Sequence, residues 1–296
     1  MKKIAFHTLG CKLNFAETSS IAREFTDNGY EHVDFNESAD IYVINTCSVT
    51  KKADKKSEEF IKKARNQNPD AEIVVMGCYA QLQTEKIASI EGVDLILGTN
   101  EKFKVKDYLE NKEKSGQPEI HSCNSEDTAA YFPSYSYGDR TRSFLKVQDG
   151  CDYRCAYCTI PMARGRSRNQ SIQNIVEQAE KIGKTEVKEV ILTGVNIGDF
   201  GKSTGESFLE LLKELEQVNG IERFRISSIE PNLLSNEIVS FVKYSKKFLP
   251  HFHIPLQSGC NEILARMKRR YKKELFQERI AYIKKEMPDA FIGVDV

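Results

Sequence analysis

Three cysteines crowd one short stretch of the chain, Cys151, Cys155 and Cys158, in the spacing Cys-x3-Cys-x2-Cys. They directly follow the strand-like run FLKVQDG, so three thiolates wrap one loop at the C-terminal end of a strand. Iron-sulfur clusters are held by cysteine thiolates, and a cubane gripped by three of them keeps one iron open to an exchangeable ligand. A structural zinc site would want a fourth ligand nearby, and no histidine occurs between His121 and His251. The alternatives are a zinc loop or a redox pair of Cys155 and Cys158, which leaves Cys151 without a role. A second set, Cys11, Cys47 and Cys78, is scattered, yet each member closes a strand-like run: KIAFHTLGC, DIYVINTC and EIVVMGC. In a parallel sheet these ends share one edge, the crevice where open α/β sheets bind ligands. Convergence there would make a second three-thiolate site; the alternative is three small buried hydrophobes. Cys123 and Cys260 stand apart and look incidental, and no acid-base side chain is singled out as catalytic.

The elements that must position these thiols read as α/β throughout. Residues 1–112 alternate short apolar runs (KIAFHT, YEHVDF, DIYVIN, EIVVMG, DLILG) with helical patterns, as in a doubly wound parallel sheet. Residues 113–142 are rich in turn formers without periodicity and read as a linker. From 143 to 296 a second series (FLKVQ, VILTG, RFRISS, FHIPL, FIGVDV) with intervening helices reads as part of a (β/α) barrel. The chain stops within the last of these runs, which predicts a truncated barrel.

Lys and Arg total 43 and Asp and Glu total 43, so the net charge is zero and any nucleic-acid surface must be a local patch. No apolar run approaches the roughly 20 residues a membrane helix needs, and eight cysteines outside any secretory context favour metal or redox chemistry over disulfides. The expectation is a cytoplasmic protein with no membrane partner.

GCDYRCAYCTIPMARGRSRN resembles the cluster loop of radical S-adenosylmethionine enzymes, with Tyr157 just before the last cysteine, and TLGCKLN, NTCSV and MGCYAQ resemble the three cysteine motifs of the methylthiotransferase family. Together these motifs span most of the chain. The resemblance implies two 4Fe-4S clusters, a radical one on Cys151, Cys155 and Cys158 and a sulfur-donating one on Cys11, Cys47 and Cys78. It also implies S-adenosylmethionine as radical source and methyl donor, an electron donor protein, and tRNA as partner. The radical would attack carbon 2 of an adenosine at position 37 in the anticodon loop. TLGCKLN, VQDGCDYRCAYC and TGVNIGDFG are most similar to the branch acting on N6-threonylcarbamoyladenosine; the other branches act on isopentenyladenosine or on an aspartate of a ribosomal protein. LTGVNIGDFG, ISSIEP and HIPLQSG stand at the barrel edge, where Gly194 would allow close approach of the cofactor and Asn196, Ser228, Glu230 and Gln257 would bond it. The basic runs Arg164, Arg166, Arg168 and Arg266, Lys268, Arg269, Arg270 are candidate phosphate grips. Family members continue into an RNA-binding β-barrel, so this chain is expected to bind tRNA weakly. The reading outside enzymology is an iron-sulfur or zinc-binding sensor module.

Overall fold

Short runs of β-branched residues, too brief for helices and separated by amphipathic stretches, fold as alternating parallel strands and helices. The computed structural model describes residues 1–48, 50–111, 117–125, 130–138 and 141–296. The chain divides into two compact units, Met1–Phe132 with Thr159–Arg166, and Pro133–Cys158 with Ser167–Val296.

The first unit contains β1 (Lys3–Thr8), α1 (Lys12–Asp27), β2 (Glu31–Val33), β3 (Ile41–Thr46), α2 (Lys51–Gln67) and β4 (Glu72–Gly77). It continues with α3 (Cys78–Leu82), α4 (Thr84–Ala88), β5 (Leu95–Leu97), α5 (Val105–Asn111), β6 (Glu119–His121) and the short helix α6 (Ile160–Arg164). Its strands lie in the order β2-β1-β3-β4-β5-β6, each paired in parallel with its neighbours. Both faces of the sheet are covered, as the continuous apolar runs require. Tyr42, Ile44, Ile73 and Val75 pack with Ile61 and Ala64 of α2 on one side. Ile41, Val43, Val74 and Met76 pack with Ile21 and Phe25 of α1 on the other.

The second unit runs β7 (Ser143–Lys146), α7 (Ile172–Gly183), β8 (Glu189–Thr193), α8 (Phe208–Gln217), β9 (Arg223–Ile226), α9 (Asn236–Tyr244), β10 (His251–His253), α10 (Asn261–Arg266), α11 (Lys273–Glu286) and β11 (Phe291–Gly293). β7-β8-β9 and β10-β11 are parallel sheets. Single parallel bridges, Phe224 with Phe248 and Ser228 with His253, continue the order from β9 to β10. Each strand therefore lies beside its predecessor, the progression of a (β/α) barrel.

Two features differ from the sequence reading. β6 occupies Glu119–His121, inside the stretch assigned to a linker, because a three-residue edge strand with charged ends has no period to detect. The break between the units, after Phe132, lies within the stretch 113–142 read as a linker, of which residues 113–116, 126–129 and 139–140 lie outside the described residues. Thr159–Arg166 packs with the first unit although it follows the second unit's cysteine loop, a placement no local pattern signals.

Candidate metal and cofactor centres

The strand order of the first unit reverses between β1 and β3, the position at which open α/β sheets hold ligands beyond the carboxyl ends of their strands. Cys11 follows β1 at the N-cap of α1, Cys47 follows β3, and Cys78 opens α3 directly after β4. Thr46 is paired with Gly77, so Cys47 and Cys78 leave neighbouring strands at one level. The Leu9 amide donates to the Asn45 carbonyl at 2.9 Å, which holds the turn to Cys11 along β3. Gly10 has φ +102°, and a Cβ there would stand 2.7 Å from Cys47 Cβ and 2.9 Å from its Sγ. Cys11, Cys47 and Cys78 thus each follow a strand at the same edge of the sheet.

Beneath them lies a buried polar group. Asn14, Glu17, Lys102 and Arg164 are each 1% exposed or less. Arg164 donates to Asn14 Oδ1 at 2.5 Å and to Glu17 at 3.1 Å, and Lys102 Nζ stands 2.5 Å from the same carboxylate. Burial pushes the Cys78 thiol up, while the charges of Arg164 and Lys102 favour its thiolate. Arg164 was a candidate phosphate grip; its burial against Glu17 removes it from that role. Arg168 is likewise taken, by Asp149 at 3.1 Å.

The second cysteine loop rises from β7 on a similarly closed base. Asp149 exchanges backbone hydrogen bonds of 2.9 Å with Arg168, and its carboxylate also holds Lys146 Nζ at 2.7 Å. Gln148, fully buried, donates to the Asp149 and Gly150 carbonyls and accepts from the amides of Val195 (3.0 Å) and Asn196 (2.8 Å), tying the loop to the end of β8. Burial pushes the Cys151 thiol up to about 12, opposed by the Tyr153 amide, with further upward pressure from Asp199, Cys158 and Cys155. Cys155 Sγ accepts from Arg269 at 3.4 Å. Among the described residues no three His, Cys, Asp or Glu side chains are gathered tightly enough for one metal ion. A cubane spreads its thiolates over separate irons, and two all-cysteine trios suit that group by donor chemistry.

The residues expected to hold the cofactor stand at the strand ends of this unit. The Tyr157 hydroxyl donates to Gln257 Oε1 at 2.9 Å, and Arg269 lies 6.0 Å from the Tyr157 ring and pairs with Glu230 at 3.3 Å. Ser228 Oγ bonds His253 Nδ1 at 2.5 Å, and Asn196 donates to Asp199 at 3.0 Å. Burial raises the carboxyl groups of Asp199 and Glu230, so both resist ionisation. Asn196 Oδ1 and Glu230 Oε2 are buried acceptors with no hydrogen-bond partner among the described residues. Buried acceptors are normally satisfied, and the amine and ribose hydroxyls of S-adenosylmethionine are donors of the matching kind. Gly194 serves differently from the expectation: a Cβ there would stand 2.9 Å from the Gln148 carbonyl and from Ile197, so its bareness admits the protein's own chain. Gln148, Asp199 and the Asn14–Glu17–Lys102 group escaped the sequence reading. Asn14 lies within TLGCKLN, Gln148 within VQDGCDYRCAYC and Asp199 within TGVNIGDFG, while Glu17 and Lys102 lie in no marked motif.

Comparison with known proteins identifies the family. Residues 3–98 match an uncharacterized protein family, UPF0004, and residues 145–295 match the radical SAM superfamily. The chain is 41% identical over its whole length to a threonylcarbamoyladenosine tRNA methylthiotransferase of Bacillus subtilis, of which it covers 66%. It is 38% identical, over 99% of its length, to the protein of that name from Aquifex aeolicus, of which it covers 72%. A tRNA-2-methylthio-N(6)-dimethylallyladenosine synthase of Acetivibrio thermocellus is 31% identical over the full chain, which covers 63% of it. Among solved structures, the radical S-adenosylmethionine methyltransferase TsrM of Kitasatospora setae shares the fold, with a TM-score of 0.63 at 14% identity over 99% of this chain and 68% of that one. The chain thus spans about two thirds of the length of these relatives, and it belongs to the radical S-adenosylmethionine methylthiotransferase family.

Proposed function

We propose that this chain carries the core of a tRNA methylthiotransferase that converts N6-threonylcarbamoyladenosine at position 37 of the anticodon loop into its 2-methylthio derivative, using two 4Fe-4S clusters and S-adenosylmethionine. The observation that carries this reading is the placement of Cys11, Cys47 and Cys78 after strands at the same edge, near the sheet's switch point, in a chain that also holds the Cys151 loop. One three-thiolate site serves to cleave S-adenosylmethionine, and a second has a purpose where sulfur must be supplied. The branch is supported by relatives of that name at 34–41% identity, against 30–32% for the dimethylallyl synthases.

When bound, the group on Cys151, Cys155 and Cys158 with its cofactor supplies radical chemistry able to break an aromatic C–H bond, and the group on Cys11, Cys47 and Cys78 supplies sulfur. The chain's own residues position and shield. Asn196 Oδ1 and Glu230 Oε2, buried acceptors, would take donors of the cofactor such as its amine and ribose hydroxyls, and Arg269, a cation anchored by Glu230, would suit its carboxylate. Tyr157 and Gln257 close the edge through their mutual hydrogen bond. The partial burial of Cys151 limits water at the base of the loop. An electron donor protein completes the reaction.

The test is expression in a strain lacking its own threonylcarbamoyladenosine methylthiotransferase, followed by mass spectrometry of tRNA nucleosides. The expected result is the 2-methylthio-threonylcarbamoyl nucleoside. Appearance of only the methylthiolated isopentenyl nucleoside reassigns the branch, and zinc without iron in the purified protein sinks the reading in favour of a sensor module.

A further inference from the structure

The buried group beneath the first cysteine trio is built as a staple. The Asn14 amide nitrogen donates to the carbonyl of Leu9 at 2.8 Å and to that of Thr46 at 3.2 Å. Thr46 immediately precedes Cys47, and Leu9 leads through Gly10 into Cys11, so one side chain pins both cysteine-bearing turns. An amide can face either way, and a guanidinium can only donate. By taking Asn14 Oδ1 at 2.5 Å, Arg164 selects the orientation in which the amide nitrogen faces the two carbonyls. Glu17 holds Arg164 in place through two bonds of 3.1 Å. Arg164 lies in the segment that leaves Cys158, yet this segment packs with the first unit, where α6 lies against α3, the helix that Cys78 opens. Thr99 Oγ1 adds a second tie, to the Ala163 carbonyl.

We infer that Arg164 is a positioning residue for the Cys11–Cys47–Cys78 site, acting through Asn14, so that the chain leaving one cysteine loop completes the frame of the other. The functional meaning of this frame rests on the two-cluster reading above. Lys102 provides the matched comparison, because removing it takes a cation from the same Glu17 and leaves the Arg164–Asn14 bond in place.

The experiment uses the full chain with Cys151, Cys155 and Cys158 replaced by Ala, so that all bound iron and sulfide report on the first trio. In this background Arg164→Met is expected to lower iron affinity on the order of 10-fold, the usual effect of losing an outer-shell partner. Arg164→Lys recovers part of it, and Lys102→Met, which removes a charge favouring the Cys78 thiolate but keeps the Asn14 staple, lowers it less than Arg164→Met. Should Arg164→Met fail to fold, Asn14→Asp keeps an acceptor for Arg164 while losing the donor that staples the turns, and is expected to reproduce the loss. Amide hydrogen exchange of the metal-free protein gives a readout without iron. Residues 9–11 and 46–48 exchange several-fold faster in Arg164→Met and Asn14→Asp, and at the parent rate in Lys102→Met. Indistinguishable behaviour of the Arg164 and Lys102 variants in exchange and in loading overturns the inference. A parent that takes up no iron sinks the two-cluster reading instead, and the exchange comparison then decides the positioning role.

Discussion

Charged side chains near these centres act mainly on one another. Arg269 and Glu230 form a largely buried pair, with side-chain exposures of 7% and 15%. Removing one partner of such a pair leaves an uncompensated charge in a medium that disfavours it. Arg269→Met is therefore expected to cost about 3 kcal/mol of stability in the metal-free protein at pH 8. The loss should shrink toward pH 5, because burial already raises the Glu230 carboxyl and protonation removes the stranded charge. Urea unfolding at the two pH values checks both the size and the trend. His7, stacked on Phe60 at 3.5 Å, is a second titrating case, held down to about 4 by burial and by Lys63. Its unfolded-state value is near 6.5, so the unfolded chain binds the extra proton first and stability falls as pH drops from about 6.5 to 4. With partial exposure discounted, the effect is on the order of 1 kcal/mol. His7→Phe should flatten that part of the stability profile, and an unchanged slope would contradict the assignment.

Among the elements, the turns between strand and helix are the demanding parts. Gly10 and Gly77 both adopt positive φ, +102° and +101°, and each lies against its neighbours' atoms. Gly10→Ala would press a methyl group into Cys47, and a cost of about 2–4 kcal/mol is expected from overpacking and backbone strain together. Iron should be lost from the first trio and kept on the Cys151 loop, which cysteine-to-Ala backgrounds can separate. The strands themselves were legible because β3 and β4 carry the apolar runs Ile41–Ile44 and Ile73–Met76, and the helices because apolar residues recur at helical spacing between such runs. β6 and α6 carried no such signal; each is fixed by what it packs against.

For the whole molecule, the informative feature is that the first unit is discontinuous in sequence. A chain ending at 132 would lack Arg164 and the Ala163 carbonyl, depriving Asn14 Oδ1 and Thr99 Oγ1 of partners and taking one of its two cations from Glu17. Such unsatisfied groups cost roughly 1–3 kcal/mol each. Residues 1–132 alone are expected to unfold at lower urea than the same segment fused to 159–166 through a flexible linker. Equal midpoints would show that α6 adds nothing to this unit.

Sequence alone determined the two cysteine trios, the α/β character of both halves and the parallel strands, because thiolate spacing and hydrophobic periodicity are local properties. It also placed Asn196, Ser228, Glu230 and Gln257 in runs that follow strands, and Tyr157 in the cysteine loop. Tertiary structure alone decided which arginines are spent in buried ion pairs, that Gln148 fills the space beside Gly194, and that Asn14 reaches two turns at once. Those outcomes depend on contacts between residues as far apart as Asn14 and Arg164, and burial charges a free-energy cost that no window of neighbouring residues reveals.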